Sequence, residues 1–176
     1  MPIDPSKMTI MKIVSGGQTG VDRGALDAAL SVQFPCGEWC PEGRRSEDGR
    51  IPHIYPLLVL EGSGYRQRTL KNVQDSDATL ILFTGSLTGG TKLTRDLCVR
   101  EKKAFFVVDA TLVTVAETID GVRSFIVDQN IRVLNVAGPR ASGWGRGHQF
   151  AFEVICGTLR HLAFAMDLPP STRVHE

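Results

Sequence analysis

The chain has 176 residues, long enough for one full hydrophobic core and short for two, so a single domain over 1–176 is expected. Twenty Lys and Arg stand against nineteen Asp and Glu, a formal net charge of +1, so no bulk field draws the protein to nucleic acid or to a membrane; attraction for anions has to be local. No apolar run approaches a bilayer span, and Met1–Lys12 lacks the basic-then-apolar layout of an export signal, which points to a cytoplasmic protein.

From the N-terminus, Ile10–Val14 reads as a buried strand and Val21–Leu30 as a helix whose apolar face is Val21, Ala25, Leu26, Ala29 and Leu30. Between them lies the turn Ser15-Gly16-Gly17-Gln18-Thr19-Gly20, which runs on into Val21-Asp22-Arg23-Gly24. A helix start leaves N–H groups without internal partners and gathers roughly half a positive charge, so an oxyanion is favoured there. Glycine lets the backbone close in on it. The dinucleotide fingerprint G-x-G-x-x-G is not met, because Gly16 to Gly20 supplies only G-G-x-x-G.

Val32–Pro56 follows, rich in Gly, Pro and charge and carrying Arg44, Arg45 and Arg50; it is long for a structureless connection and therefore expected to be functional. Leu57–Glu61 reads as a short buried strand and Tyr65–Asp75 as a helix bearing Arg66, Arg68 and Asn72. Arg66 and Arg68 are two apart, so on a helix only one of them faces a given site. A strand at Ala78–Phe83 and a helix at Thr91–Lys102 enclose a second polar, glycine-rich turn, Thr84-Gly85-Ser86-Leu87-Thr88-Gly89-Gly90-Thr91-Lys92-Leu93-Thr94. A P-loop needs Lys then Ser or Thr after its last glycine; here Thr91 precedes Lys92, which excludes a Walker nucleotidase.

Ala104–Asp109 is the fourth strand, Val113–Asp128 contains a helix, and Arg132–Ala137 is the fifth strand. A third turn, Asn135-Val136-Ala137-Gly138-Pro139-Arg140-Ala141-Ser142, adds Arg140 and Ser142 as oxyanion donors, and Gly147–Met166 closes the pattern as a helix. Both ends, about 1–8 and 169–176, read as flexible. Strands alternating with helical crossovers imply an α/β fold, a doubly wound, mainly parallel sheet of five strands or more flanked by helices. Such a sheet brings all three turns to one edge, where open α/β folds hold ligands.

Cys36, Cys40, Cys98 and Cys156 are scattered; Cys36 and Cys40 have no second close pair, which argues against a metal clamp, and Cys98 and Cys156, inside helix-like segments, read as small hydrophobes. Asp22 fits two roles, capping the helix or orienting a ligand group; Arg23 fits ligand or a partner subunit. Arg44 and Arg45 fit either solvated loop charges or holders of a phosphate, the group a bidentate guanidinium prefers. Arg140, directly after the fifth strand, is the strongest side-chain choice.

The strings Gly16-Gly17-Gln18-Thr19-Gly20-Val21-Asp22-Arg23, Trp39-Cys40-Pro41-Glu42-Gly43-Arg44-Arg45, Tyr65-Arg66-Gln67-Arg68-Thr69, Asn72-Val73, Ser76-Asp77-Ala78-Thr79-Leu80, Gly89-Gly90-Thr91 and Asn135-Val136-Ala137-Gly138-Pro139-Arg140 together resemble the molybdenum cofactor carrier proteins. The resemblance runs over roughly Ile10–Leu162. Those carriers are a branch of the SLOG superfamily, Rossmann-like proteins related to the cytokinin-activating phosphoribohydrolases. The resemblance implies a homo-oligomer, commonly a tetramer, that holds and protects the molybdopterin form of the cofactor and delivers it to molybdoenzymes or insertion factors. The cargo is then expected on Gly16, Gly17, Gln18, Thr19, Gly20, Asp22 and Arg23 of the first turn, with Arg68. The second and third turns add Thr84, Gly89, Gly90, Thr91 and Thr94, then Gly138, Pro139, Arg140 and Ser142. Trp39 and Trp144 lie in apparent loops and fit either a cover for the flat pterin or burial against the sheet.

The hydrolase relatives follow their glycine turn with a catalytic glutamate in a G-G-x-G-T-x-x-E pattern, whereas this chain has Gly89-Gly90-Thr91-Lys92-Leu93-Thr94-Arg95-Asp96. Thr94 stands near the glutamate's place, and a threonine hydroxyl neither carries charge nor titrates near neutrality. Binding without turnover is therefore the expectation. A nucleotide or phosphoribosyl hydrolase using Asp22, and a nucleotide-sensing binding protein, are the alternatives.

Overall fold

The computed structural model describes residues 10–166; the expected flexible ends, about 1–8 and 169–176, lie outside the described residues. In chain order the elements are β1 (Lys12–Val14), α1 (Val21–Ser31), β2 (Cys36–Pro41), β3 (Arg45–Ser46), β4 (Gly49–Arg50), β5 (Leu57–Leu60), α2 (Tyr65–Gln74), β6 (Ala78–Phe83), α3 (Gly89–Arg100), β7 (Ala104–Asp109), α4 (Val115–Asp128), β8 (Val133–Ala137) and α5 (Gly147–Met166). Six strands form one parallel sheet in the order β5-β2-β1-β8-β6-β7, flanked by helices, the doubly wound Rossmann-like arrangement that the alternating pattern implies.

The sheet holds one strand that the pattern does not reveal. Cys36-Gly37-Glu38-Trp39-Cys40-Pro41 lies in the stretch read as a connection, because its glycine, prolines and charge break strand periodicity; parallel pairing to β1 on one side and β5 on the other overrides that weak local preference. Trp39 is therefore a strand residue, and its Nε1–H donates to Asp75 (2.8 Å), the residue that ends α2. The rest of the long connection holds a short hairpin, β3 and β4, with Glu47 and Asp48 at its tip.

The central strands β1, β8, β6 carry the core: Ile13, Leu80, Leu82, Leu134 and Val136 are buried, with Val21, Ala25 and Ala29 of α1 and Ala151, Val154 and Ile155 of α5 packed on one face. α1 and α5 cross closely because Gly24 lacks a side chain; a Cβ there would lie 2.3 Å from the His148 carbonyl oxygen. Because β1, β8 and β6 are neighbours, the turns after them emerge side by side. That places residues 15–20, 138–142 and 84–88 at one edge of the sheet. Among the described residues, no helix is long and apolar enough to cross a membrane.

Candidate functional site

The three turns enclose a cleft of about 490 Å³ at that edge. Gln18 and Asp22 reach it from the first turn and α1, Thr84, Gly89, Gly90, Thr91 and Thr94 from the second turn and α3, and Gly138, Pro139 and Arg140 from the third. Arg68 closes it from α2, while Arg66 does not line it. Tyr65, Thr69, Leu93 and Gly143 line it too, though none of them is expected from the sequence to hold ligand; Ser86 and Thr88 also do, and they sit inside a turn whose polar character was legible.

The second turn is the open one. α3 begins after Thr88, whose side chain makes no capping bond, so the first-turn amides have no side-chain acceptor. A Cβ built on Gly89 or Gly90 would meet nothing within 4 Å, so free space borders this helix start. Thr94 is buried, and its hydroxyl donates back to the Gly90 carbonyl (2.9 Å). Asp96 is turned away and held by Lys92 (2.7 Å) and Arg95 (2.6 Å).

The first turn is closed by the protein's own groups. The Arg68 guanidinium occupies the space that a Cβ on Gly16 would need, at 1.5 Å from Nη1; Leu57 and Ile51 side chains press on Gly17; the Pro139 carbonyl and Ala141 amide press on Gly20, which sits at φ +81. The Val21 amide already donates to the Pro139 carbonyl (3.2 Å), so the first and third turns are bonded to each other. Gly16, Gly17 and Gly20 thus admit internal neighbours, and none of them lines the cleft.

Thr19 and Ser142 do hold an oxyanion, and it is internal. Both Thr19 Oγ1 and Ser142 Oγ (2.5 Å) donate to the Glu47 carboxylate, the Ser142 amide adds a third bond (3.1 Å), and Arg140 Nε lies 3.9 Å away. These donors, Ser142 foremost, pull the Glu47 carboxyl below the usual range. The hairpin tip is thereby pinned across the first and third turns. Glu47 ties together two of the turns that frame the cleft without lining it, and only its place in the long connection hinted at it.

Arg23 points away from the cleft. Its guanidinium takes both Asp48 oxygens (2.6 and 2.8 Å) and Ser46 Oγ (3.0 Å), while its Nε–H donates to the Gly17 carbonyl (3.1 Å). The Arg23 bonds hold the Asp48 carboxyl down at about 2. Arg44 takes neither role weighed from the sequence: it is buried and donates to the carbonyls of Ile51, Leu57, Pro52 and Tyr55 at 2.8–3.0 Å, which fixes the connection around it. Arg45 is a surface charge donating to the Glu42 carbonyl.

At the back of the cleft sits an ion pair under strain from burial. Asp22 is 4% exposed and accepts from the Gln18 amide (3.2 Å) and from Arg68 Nη1 at a long 3.4 Å. Burial raises its carboxyl above the usual range, and the Arg68 charge and Gln18 bond oppose that only in part. Arg68 is underused as well: its Nε is buried without a partner. A guanidinium in a cleft with one weak bond and an orphaned donor is suited to a further oxyanion. Cys40 is buried on β2 and Cys36 half-buried, both thiols pushed up by burial; among the described residues no three His, Cys, Asp or Glu side chains cluster as for a metal ion.

Against known proteins, residues 13–159 match the model of the circularly permutated YpsA SLOG family. A solved structure from Syntrophus aciditrophicus SB, named "Putative molybdenum carrier protein", is 41% identical and superposes with a TM-score of 0.83, the match covering 86% of this chain and 96% of that one. No curated protein matches. With most of its length accounted for by the family model, the chain belongs to the circularly permutated YpsA SLOG family.

Proposed function

We propose that the protein carries molybdenum cofactor as cargo, held in the cleft between the three turns and handed on without chemical change. Arg68 is the observation on which this rests. Its buried, unpartnered Nε and its stretched bond to a carboxyl that burial disfavours as an anion leave the guanidinium ready for an incoming oxyanion, either the phosphate or the oxo-molybdenum end of the cargo. The open start of α3 and the hydroxyls of Thr84, Ser86, Thr88 and Thr91 supply neutral donors around it, and Arg140, half exposed at the rim, supplies a second cation. The name of the 41% identical structure supports the same reading. In this proposal the carrier is a homo-oligomer in the cytoplasm and its recipients are molybdoenzymes or insertion factors.

Arg140 is exposed enough to be replaced without disturbing the core. Arg140→Ala should lower retention of cofactor by roughly ten- to hundredfold, the worth of one charge-assisted hydrogen bond, as read by native mass spectrometry after anaerobic loading. Full occupancy in that variant would remove Arg140 from the site; failure of the unaltered protein to retain any pterin or molybdenum would sink the carrier reading.

One observation favours a second reading. Asp22, buried in the cleft and raised above the usual carboxylate range by that burial, is the kind of carboxyl that can hold a proton for general-acid work, so a nucleotide or phosphoribosyl hydrolase would use it. Release of free base from nucleoside monophosphates, abolished in Asp22→Asn, would replace the carrier by the enzyme. Thr94 at the place of the hydrolase glutamate weighs against it.

A further inference from the structure

A second cavity, about 300 Å³, opens beside the first and shares Thr84 with it. Its apolar part is formed by Val113 and Val115 around the start of α4 and by Trp144 and Phe150 around the start of α5. The Trp144 and Phe150 rings pack tilted at 5.4 Å between centroids, and Gly147 lies against the indole so closely that a Cβ there would be 3.0 Å from it. The indole is thus fixed from behind.

The polar groups come from one face of α5 and the residue before it. Arg146, Gln149 and Glu153 are spaced i, i+3, i+7, with Phe150 between them at i+4. Gln149 Nε2 donates to Glu153 Oε1 (2.8 Å), which steadies the carboxylate and leaves Oε2 unbonded. Among the described residues, the Arg146 guanidinium has no hydrogen-bond or ion-pair partner. A fixed aromatic plate therefore stands beside a free carboxylate oxygen and a free cationic donor. The complement of that set is a flat ring that donates from adjacent N–H and amino groups and accepts at a neighbouring carbonyl.

We propose that this cavity binds a fused bicyclic ring with a 2-amino-4-oxopyrimidine edge, the edge that pterins and guanine share. Glu153 accepts from the ring N–H and the exocyclic amine, Arg146 donates to the oxo group, and Trp144 stacks against the ring. Adenine presents an acceptor where Glu153 accepts and a donor where Arg146 donates, so the site rejects it. The inference rests on the carrier reading in one respect: a ligand with its ring here passes Thr84 to lay its anionic end at Arg68.

Trp39→Phe leaves Trp144 as the only tryptophan, whose emission then reports this cavity. In that background, 6-hydroxymethylpterin and guanosine should each quench saturably, and adenosine, or inosine without the 2-amino group, should bind at least about tenfold more weakly. Adding Glu153→Gln, an exposed and isosteric change, should weaken both binders by about tenfold or more. Absence of saturable quenching, equal binding of inosine, or an unaffected Glu153→Gln variant overturns the proposal. Sulfate binding by calorimetry on the same proteins keeps the two sites distinct. Sulfate bound without ring binding overturns the ring site alone; ring binding without sulfate overturns the reading of the first cleft alone. The tighter of pterin and guanosine identifies the source of the ring.

Discussion

Replacing Asp22 by Asn tests the cleft at its most loaded point. The substitution keeps the shape and the acceptor for the Gln18 amide, and it removes the negative charge that Arg68 now faces at 3.4 Å. An anion on the free edge of Arg68 would lie about 5 Å from that carboxylate, a repulsion of about 3 kcal/mol at an effective dielectric of about 20, or roughly a hundredfold in affinity. The carboxyl is raised by burial, so its charge is absent at low pH and appears as pH climbs through the raised value. Sulfate remains a dianion across this range and makes a clean probe. Its double charge doubles that repulsion, so its affinity for the unaltered protein should fall with rising pH by at least about two orders of magnitude, as measured by calorimetry. The Asp22→Asn protein should bind at a constant level equal to the low-pH limit. Stability carries the same sign: an acid raised in the folded state contributes most below its unfolded pKa, and that contribution is lost as pH rises through the folded one. An Asp22→Asn variant with the same pH slope as the parent would refute the coupling of Asp22 and anion through Arg68.

Three further outcomes are expected. Glu47→Ala frees the Thr19 and Ser142 donors from their internal carboxylate, so sulfate affinity should rise roughly tenfold, about one charge-assisted bond, and unchanged affinity would mean that this seat is never open to ligand. Arg44→Leu leaves four backbone carbonyls without their donor, and urea titration should show a loss of about 3–5 kcal/mol at constant m-value; Arg44→Lys, lacking the planar fork, should recover little of it. Gly20→Ala combines a left-handed φ of +81 with a Cβ 2.5 Å from the Pro139 carbonyl, so thermal unfolding should show a cost of at least about 2 kcal/mol, with the first and third turns pushed apart.

Most of the architecture was legible because the signals were local. The apolar run at β6, all six residues of it buried, and the apolar face of Val21, Ala25, Leu26 and Ala29 on α1 announce a strand and a helix within a few residues of their own positions. β2 was not legible because what makes it a strand is two neighbours distant in sequence, Ile13 and Val14 on one side and Leu57 to Leu60 on the other. Arg44 failed for a related reason. Nothing near it in the chain says that the connection will wrap around its guanidinium and offer four carbonyls to it.

The glycine turns show where the boundary lies between what a sequence states and what only a structure decides. Glycine after a strand says that something approaches the backbone closely, and it does not say what. At Gly16 the approaching group is Arg68, at Gly20 it is the backbone of the third turn, and at Gly89 and Gly90 there is no neighbour at all. The glycines of the first turn, which has the denser glycine pattern, therefore admit internal neighbours, while those of the plainer second turn border the open space. The same logic recasts the polar residues. Thr19 and Ser142 have the right chemistry for an oxyanion, and a carboxylate of the same chain reaches them through the hairpin tip. A turn is available to ligand only where no internal group satisfies it. By that criterion the proposed ligand site rests on Arg68, which has an orphaned donor and an unwilling carboxylate for a partner, rather than on any glycine motif.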